Sequence, residues 1–446
     1  MTLFQTQSHS QKPTVAVLGA GIVGVTSALA LVESGFHVVL VDQLDDVSQA
    51  TSKSNGAQLS YGYADAMAAP GLIAMAGRIL LGQEAGLKFR LKPTPHNLSW
   101  LISFLREGTA NRFIANTRSS LEIALRSKAQ MDIWQNRYHF DFDHQVSGKL
   151  QILPDQASIE GQKPLIDLKR TMGIRQSVLT PGEAVEVEPA LGCFGGEMAG
   201  ALYSPDEEVG DPQRFARAAL DLILTASPNN RFLRSHEVTS VDVRNGAIRA
   251  LKTNRGDIEA DAFVFAAGQW SSRFAKQLGI RLSIVPVAGY SLTYRLGANA
   301  PKHSVTDIKA KAVLCPLGDK LRIAGLADIG YDAASVAPAR IEQLRSVLTK
   351  RFPGLAAMDG DGEPWVGHRP VTPNSQPIVS KTALLNGFVN CGHGTLGWTM
   401  AAATAVELAS KVCAQFGMAD SRQEITSEVK PANSANPSGA DLVASA

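Results

Sequence analysis

A glycine-rich motif near the start of the chain has the spacing of a dinucleotide-binding turn. Residues 19–24 read GAGIVG, after an apolar run and before a helical pattern. In that context Gly19 permits a tight turn, Gly21 lets a diphosphate approach the backbone, and Gly24 lets the helix lie close to the strand. The N–H groups that open the helix then face the phosphates. Asp42, 18 residues after Gly24, is placed to accept hydrogen bonds from ribose hydroxyls.

The motif alone leaves NAD and FAD open, and three further segments favour FAD. Residues 264–270 (VFAAGQW) predict a strand whose small end residues let a second backbone segment pass close to a cofactor. Residues 392–400 (GHGTLGWTM) place three glycines before an apolar helix, whose N–H groups suit the negative charge that a flavin gains on reduction. Residues 51–58 (TSKSNGAQ) are mostly small and polar, and we expect them to line the isoalloxazine ring.

Hydrophobic patterns predict the elements that must position these segments. The apolar run 15–18, the helical pattern 22–34 and the apolar run 37–41 form one βαβ unit. The nucleotide-binding part is expected to be discontinuous, interrupted by a substrate-binding part. Downstream patterns predict helices at 98–137, 212–225, 338–351 and 396–414, and strands at 148–153, 200–203, 237–243, 247–253, 261–266, 284–295 and 321–326.

Composition and charge exclude several other classes of protein. Hydrophobic residues make up 45% of the 446 residues and charged residues 19%, which excludes disorder for most of the chain. The 43 basic and 41 acidic residues nearly balance, which argues against a protein that neutralises nucleic-acid phosphates. Four cysteines without a C-x-x-C pair argue against a disulfide scaffold and a zinc knuckle, and no metal site is expected.

The sequence also lacks the signals of secretion and of membrane insertion. Residues 1–13 have no apolar core of the kind found in a secretory signal. No apolar run is long enough to span a bilayer. We therefore expect a soluble protein, or at most one that lies on a membrane surface.

Six segments, in one order along the chain, resemble a known enzyme family. By these segments the chain resembles the D-amino acid oxidase superfamily of FAD enzymes, which includes glycine oxidase-like proteins, and most of all the bacterial D-amino acid dehydrogenases. The glycine-rich motif is shared by many flavoproteins, whereas GYSLT and GHGTLGWTMA are specific. The segments are VAVLGAGIVGVTSALAL (15–31), SNGAQLSYGYADAMAAPG (54–71), LYSPDEEVGDPQRF (202–215), VAGYSLT (287–293), GHRPVTPNSQPIV (367–379) and NCGHGTLGWTMA (390–401).

The resemblance implies an α/β fold, α+β overall, in which a Rossmann-type FAD-binding domain is interleaved with a substrate domain built on an antiparallel sheet. We expect the FAD-binding domain to comprise residues 14–64, 205–280 and 376–417. The substrate domain would comprise 65–204 and 281–375, with a helical insertion near 98–137, and residues 1–13 and 418–446 would be flexible tails.

The resemblance also implies non-covalently bound FAD and the oxidation of a free amino acid. A hydride passes from Cα to flavin N5, and water converts the imino acid to a 2-oxo acid and ammonia. Electrons are expected to pass to a quinone or another non-oxygen acceptor of the electron-transfer chain. The small amino acid is then the main partner, with no nucleic acid, in a cytoplasmic enzyme whose attachment to the inner membrane and oligomeric state stay open.

The residues expected to bind FAD lie in five short segments and at one further position, Val238. They are Gly19, Ala20, Gly21, Ile22, Val23, Gly24, Asp42, Gln43, Ser54, Asn55, Gly56, Ala57, Gln58, Val238, Ala266, Ala267, Gly268, Trp270, Gly394, Thr395, Leu396, Gly397 and Thr399.

Arg369 is the main candidate for substrate binding. Its planar guanidinium suits a carboxylate, and the related enzymes place their carboxylate-binding arginine here. Tyr290 is expected to donate its hydroxyl to the same carboxylate, and Tyr61 and Tyr63 to cover the ring or the substrate. His393 is a candidate general base, because histidine titrates near neutral pH; packing against the ring or a hydrogen bond to the backbone is the alternative.

Two departures from the dehydrogenase pattern leave the substrate side chain open. Ala288 stands where that pattern has lysine, and His368, also expected at the substrate, stands where it has leucine. Small apolar, proline-like and polar side chains all remain candidates.

Two other functions also stay open. The first is a flavin oxidase that uses oxygen on glycine, sarcosine, D-proline, hydroxyproline or another secondary amine. The second is a non-catalytic flavin-binding subunit, against which Arg369 argues.

Overall fold

The computed structural model describes residues 12–71, 77, 84, 86–331, 336–357, 360 and 362–419. Apart from residues 12, 13, 418 and 419, the predicted flexible tails lie outside the described residues. Among the described helices, none is long and apolar enough to cross a membrane.

A six-stranded sheet carries the glycine-rich motif. Its neighbouring strands are parallel to each other, except that the edge strand Ile378–Lys381 is antiparallel to the strand Gly387–Cys391 beside it. The predicted βαβ unit at its centre is confirmed. Across the sheet the strands are Ile378–Lys381 (β20), Gly387–Cys391 (β21), Ala262–Phe265 (β13), Thr14–Leu18 (β1), His37–Val41 (β2) and Arg231–Leu233 (β9).

Both faces of this sheet are covered, which explains why its central strands are continuously apolar. One face packs against three helices, α1 (Ile22–Glu33), α6 (Pro212–Ala226) and α8 (Gly397–Phe416). The other face packs against an antiparallel meander of β10 (Val238–Arg244), β11 (Ala247–Thr253) and β12 (Gly256–Glu259).

A second, largely antiparallel sheet has ten strands. Its main path runs Ala356–Ala357 (β18), Val285–Leu296 (β14), Lys320–Ile329 (β17), Ala312–Leu317 (β16), Ser304–Asp307 (β15), Lys149–Leu153 (β5), Gly200–Ser204 (β7) and Ser177–Leu179 (β6). Glu363–Val371 (β19) pairs with β14, and Leu87–Phe89 (β4) pairs with β17. β5 pairs with β15 and β4 with β17 in parallel, and the other neighbours are antiparallel.

The two faces of the second sheet have different roles. In β14 the alternate residues Ala288, Tyr290 and Leu292 share a core cluster with helix α7 (Pro338–Arg351). Because side chains alternate along a strand, Gly289 and Ser291 belong to the opposite face.

The helical insertion consists of two helices, α2 (Pro95–Glu107) and α3 (Ala110–Tyr138), so the predicted helical stretch 98–137 is interrupted at Gly108 and Thr109. Leu121 and Trp134 of α3 lie in the core cluster that includes α1 and α8. The remaining elements are β3 (Gln58–Leu59), β8 (Glu208–Val209), α4 (Gln156–Thr171), α5 (Pro181–Val187) and the 3-10 turns Pro189–Glu197, Gly268–Phe274 and Gly394–Leu396.

The predicted mixed α/β class is confirmed, and helix 338–351 is found with the predicted bounds. Strand β19 was not expected, because Pro364, Gly367 and Pro370 give it a low strand propensity. It pairs along its whole length with β14, and this long ladder overrides the local preference. The division into two domains stays a prediction.

Candidate active site

A cavity of about 630 Å³ lies between the two sheets. Its wall is formed by the carboxyl ends of β1, β2 and β13, by residues 50–60, by the face of the second sheet that carries Gly289, and by the turn that opens α8. Of the residues predicted to bind FAD, all but Ala20 and Gly24 line this cavity.

The three glycines of the motif have distinct structural roles. Gly19 has a φ of +102°, and a Cβ there would come within 2.7 Å of the Ala266 carbonyl oxygen. A Cβ on Gly24 would overlap the carbonyl oxygen of Gly19, so this glycine serves helix packing and not the cavity wall. Gly21 opens on the cavity, since a Cβ there would meet Ser52 Oγ at an ordinary 3.5 Å. The turn therefore offers close backbone approach at Gly21, as a diphosphate requires.

Asp42 fixes the shape of this turn. Its Oδ2 accepts from the N–H of Ala20 at 2.6 Å, and its Oδ1 accepts from the N–H of Leu44 at 2.9 Å. Burial raises the pKa of Asp42, while these backbone hydrogen bonds lower it. The carboxylate also lines the cavity, where it is placed to accept from a ribose hydroxyl.

Two helices begin at the cavity, and in neither does the residue at the N-cap position bond to the helix end through its side chain. Helix α1 starts after Gly21, which has no side chain, and Ser52 Oγ accepts from the N–H of Ile22 at 3.1 Å. Helix α8 starts at Gly397 after the 3-10 turn and has no side-chain cap. Neither helix has an acidic residue in its first turn. Two positive helix ends therefore face one cavity, an arrangement that fits a ligand with a diphosphate and a second electron-rich group.

The loop 51–60 links the second sheet to α8. The carbonyl oxygen of Ser54 accepts from Ser291 Oγ at 2.7 Å, and Thr399 Oγ1 accepts from the N–H of Ser60 at 3.1 Å. A Cβ on Gly56 would meet Val313 of β16 at 3.4 Å. The segment predicted to line a flavin ring is thus fixed between the second sheet and α8, on the cavity wall.

Arg369, on β19, brings a cation into the cavity. Its guanidinium lies across Gly289 of the neighbouring strand, where a Cβ would overlap it. Nη1 donates to the carbonyl oxygen of Leu326 at 3.1 Å. Among the described residues Arg369 forms no ion pair, and burial lowers its pKa. A half-buried guanidinium without a counter-charge among the described residues favours binding of an anion.

Tyr290 does not fill the role predicted for it. Its ring lies in the core cluster with α7, and its hydroxyl donates to Asp328 Oδ2 at 3.0 Å. Asp328 also accepts from Arg340 Nε at 3.1 Å. Although Tyr290 contributes to the cavity wall, its hydroxyl is engaged on the α7 side of the strand. This corrects the prediction that it donates to a substrate carboxylate, because the strand pleat directs the side chain away from Arg369.

The two histidines differ in what they offer to the cavity. His393 Nε2 lies 2.9 Å from Thr404 Oγ1, and burial lowers the pKa of its imidazole to about 3. The prediction of a general base is corrected, because the imidazole is bonded to α8 and has little affinity for a proton. His368 lines the cavity, and its backbone N–H and carbonyl both bond to Thr51 Oγ1.

The two tyrosines predicted to cover the ring or the substrate are separated. Tyr63 lines the cavity, with its ring centroid 3.8 Å from Lys149 Nζ. Tyr61 is buried, its ring lies near Lys128, and it is absent from the described cavity wall. Of these two tyrosines, Tyr63 lies at the cavity and Tyr61 does not.

Several polar residues of the cavity wall escape sequence analysis, among them Lys149, Thr306 and Lys311. They belong to none of the quoted motifs: Lys149 lies on β5, Thr306 lies on β15, and Lys311 directly precedes β16. Lys149 gave a usable signal, since a lysine in the apolar run 148–153 is unusual in a buried strand. Its Nζ donates to Gln58 Oε1 at 3.1 Å and Ser60 Oγ at 3.2 Å, and burial lowers its pKa.

No cluster of three or more histidine, cysteine, aspartate or glutamate residues that could hold a metal ion occurs in the described parts of the chain.

Comparison with known proteins shows similarity along most of the chain. The family DAO, described as FAD dependent oxidoreductase, matches residues 14–411. D-amino acid dehydrogenase from Paramagnetospirillum magneticum (strain ATCC 700264 / AMB-1) is 37% identical over 390 residues, which is 86% of this chain and 92% of the relative. D-amino acid dehydrogenase from Vibrio vulnificus (strain YJ016) is 33% identical over 391 residues, with 86% and 92% covered.

Solved structures share the fold at lower sequence identity. L-proline dehydrogenase from P. horikoshii superposes with a TM-score of 0.69 at 19% identity, covering 92% of this chain and 95% of that one. Glycine oxidase from Bacillus cereus ATCC 14579 gives a TM-score of 0.69 at 16% identity, covering 93% and 98%. L-alpha-glycerophosphate oxidase from Mycoplasma pneumoniae, with FAD bound, gives 0.67 at 17% identity, covering 90% and 95%.

Proposed function

Because the chain belongs to the DAO family of FAD-dependent oxidoreductases, we propose that it catalyses the oxidative deamination of free D-amino acids to 2-oxo acids and ammonia. Relatives that cover most of the chain carry this activity in their names. The observation that carries the proposal is Arg369. Its half-buried guanidinium has no carboxylate partner among the described residues, and it lies in the cavity that also holds the glycine-rich turn.

The cavity residues divide between cofactor and substrate. The FAD diphosphate would meet the backbone at Gly21 and the start of α1, and Asp42 would accept from the ribose. Loop 51–58 and the start of α8 would hold the ring. When bound there, FAD supplies the acceptor for the hydride that leaves the amino acid Cα.

Arg369 would bind and orient the amino acid. Two N–H groups of a guanidinium match the two oxygens of the α-carboxylate, and the absence of a side chain on Gly289 leaves room for the guanidinium. Holding the carboxylate fixes the position of Cα, and this positioning supplies much of the rate enhancement.

The proton balance of the reaction does not need a side-chain base. The α-ammonium first loses one proton to solvent, and the nitrogen lone pair then forms the C=N bond as the Cα–H bond breaks with its electron pair. Water adds to the resulting imine and releases ammonia. His393 takes no part, since its imidazole is bonded to Thr404.

The electrons are proposed to pass to a quinone at a membrane surface. Helix α2 exposes Leu98 and Ile102, which are 47% and 52% accessible and lie one turn apart. Exposed Lys92 and Arg106 flank them, as in helices that lie on anionic bilayers.

Flotation with anionic vesicles tests this proposal. The variant L98S/I102S should lose vesicle binding, and L385S, a control at another exposed leucine, should keep it. Equal flotation of L98S/I102S and L385S would contradict the proposal that this face of α2 binds the membrane.

Anaerobic mixing of the purified holoenzyme with D- and L-amino acids tests the reaction. D-amino acids should bleach the flavin absorbance, and their L-enantiomers should not. A protein whose flavin is bleached by no D-amino acid would overturn the proposal. Peroxide formed in air in proportion to substrate would indicate an oxidase and contradict the quinone acceptor.

A further inference from the structure

A second basic side chain lies beside Arg369 on the cavity wall. Leu326 connects the two: its carbonyl oxygen accepts from Arg369 Nη1 at 3.1 Å, and its N–H donates to the carbonyl oxygen of Lys311 at 3.1 Å. Lys311 and Arg369 both line the cavity. Leu326 thus joins the Arg369 guanidinium to the backbone of Lys311, and both basic residues belong to the same cavity wall.

A β-bulge creates this arrangement. Ala288 pairs with Asp328 and Tyr290 with Gly325, so β17 has one residue more than β14 at this point. Leu326 at the bulge and Lys311 opposite it both have left-handed conformations, with φ of 58° and 52°. A Cβ on Gly325 would overlap the Lys311 carbonyl oxygen, so the approach needs this glycine. Bulges of this kind redirect side chains next to active sites.

Neither Arg369 nor Lys311 is paired with a carboxylate of the described ranges. Lys311 packs its methylene groups against Gly86 and forms no ion pair among the described residues. Asp65, on the same cavity wall, is paired with Lys169 at 3.0 Å. Lys149 differs from Lys311, because its ammonium is bonded to Gln58 and Ser60. Two basic residues of this cavity wall therefore have no carboxylate partner within the part of the chain that the structure describes.

A buried hydroxyl next to Lys311 also lacks a partner. Thr306 lines the cavity, and within the described parts of the chain its Oγ1 has no hydrogen-bond partner. Thr306 pairs with Val313, two residues along from Lys311. Because a buried hydroxyl without a partner costs free energy, a ligand oxygen at this position would be favoured.

We propose, on the basis of the function proposed above, that the substrate is a D-amino acid whose side chain ends in a carboxylate, such as D-glutamate or D-aspartate. Arg369 binds the α-carboxylate, Lys311 binds the side-chain carboxylate, and the Thr306 hydroxyl donates to the latter. With its amine neutral, as the reaction requires, such a substrate carries two negative charges, which match the two cations.

Substrate preference of the holoenzyme tests this assignment. In anaerobic assays with a dye acceptor, kcat/KM for D-glutamate should exceed that for the isosteric neutral D-glutamine at least tenfold. K311M should reduce this ratio at least tenfold, and K311R should retain most of it. K309M is the matched control, since Lys309 is exposed and absent from the described cavity wall, and it should keep the wild-type ratio.

Binding of an unreactive analogue gives a second readout. Glutarate, a dicarboxylate, should perturb the flavin spectrum with a Kd at least tenfold below that of butyrate, and T306V should weaken glutarate binding several-fold. If D-alanine bleaches the flavin but D-glutamate has no advantage over D-glutamine, the side-chain assignment is overturned and the proposed function stands. If no D-amino acid bleaches the flavin, both are overturned.

Discussion

The guanidinium of Arg369 donates to the carbonyl oxygen of Leu326 and lies across Gly289. Arginines that are removed from water are usually paired with a carboxylate, and among the described residues Arg369 is not. We predict that R369L raises the KM for D-amino acids at least tenfold, equivalent to about 1.4 kcal/mol, because one charge-assisted contact to the substrate is lost. The KM of R369K should lie between those of the wild type and R369L, since an ammonium keeps the charge but lacks the planar fork of the guanidinium. Steady-state assays with a dye acceptor measure this, with R281L at an exposed arginine as control. An unchanged KM in R369L would refute the carboxylate assignment.

His393 makes stability depend on pH. Burial lowers the pKa of its imidazole from 6.5 to about 3, so between these values the unfolded chain binds a proton that the folded chain does not. The free energy of unfolding therefore falls as pH is lowered from about 6.5 toward 3, and the contribution is fully present above pH 6.5.

We predict that H393N shows a smaller loss of stability than the wild type when denaturant unfolding is compared at pH 7 and pH 5. H139N is the control, because His139 is exposed and in a left-handed conformation that asparagine tolerates. The same pH slope in wild type and H393N would show that this imidazole is not the group responsible.

At the scale of elements, Tyr290 connects β14 and β17 to helix α7. Its hydroxyl donates to Asp328, which also accepts from Arg340 on α7. We predict that Y290F lowers the free energy of unfolding by about 1–3 kcal/mol, as for a lost bond to a charged group, and changes the KM for D-amino acids less than threefold. Denaturant unfolding and steady-state assays measure the two effects. A tenfold rise in KM with unchanged stability would restore the substrate role that the sequence suggests.

Sequence patterns were sufficient where one local signal decides the structure. The βαβ unit has continuous apolar strands around a glycine turn, and α7 has proline at its start and a clear helical pattern. They failed where the outcome depends on the pleat or on distant pairing. The segment containing Tyr290 is correctly a strand, but which face meets the cavity depends on β19 and α7.

The polar wall of the cavity was also beyond local patterns. Lys311 reaches the cavity because a bulge in β17 and Gly325 allow its backbone to approach. Thr306 and Lys149 reach it because β15 and β5 pair in parallel, although about 150 residues separate them in the chain. Because such pairings produce no regular spacing in the sequence, the residues on the substrate side of the site could be identified only from the structure.

At the scale of the whole molecule, the cavity joins parts of the chain that are far apart. Residues 19–23 and 42 line one part of the wall, and β14, β17 and β19 line another. Loop 51–60 contacts the second sheet through Ser291 on β14, and it contacts α8 through Thr399. A dinucleotide in this cavity would therefore contact both sheets at once, and its binding would stabilise their association.

We predict that FAD raises the stability of the protein and FMN raises it less. A ligand bound only by the folded state stabilises it by about 2.7 kcal/mol at a free concentration 100 times its Kd. FMN lacks the adenosine half, so it would leave Asp42 and part of the glycine-rich turn without a ligand. Thermal unfolding of the apoprotein with FAD, FMN or NAD at equal concentrations measures this, with NAD expected to have no effect. Equal stabilisation by FMN and FAD would show that the part of the cavity at Gly21 and Asp42 does not bind the cofactor.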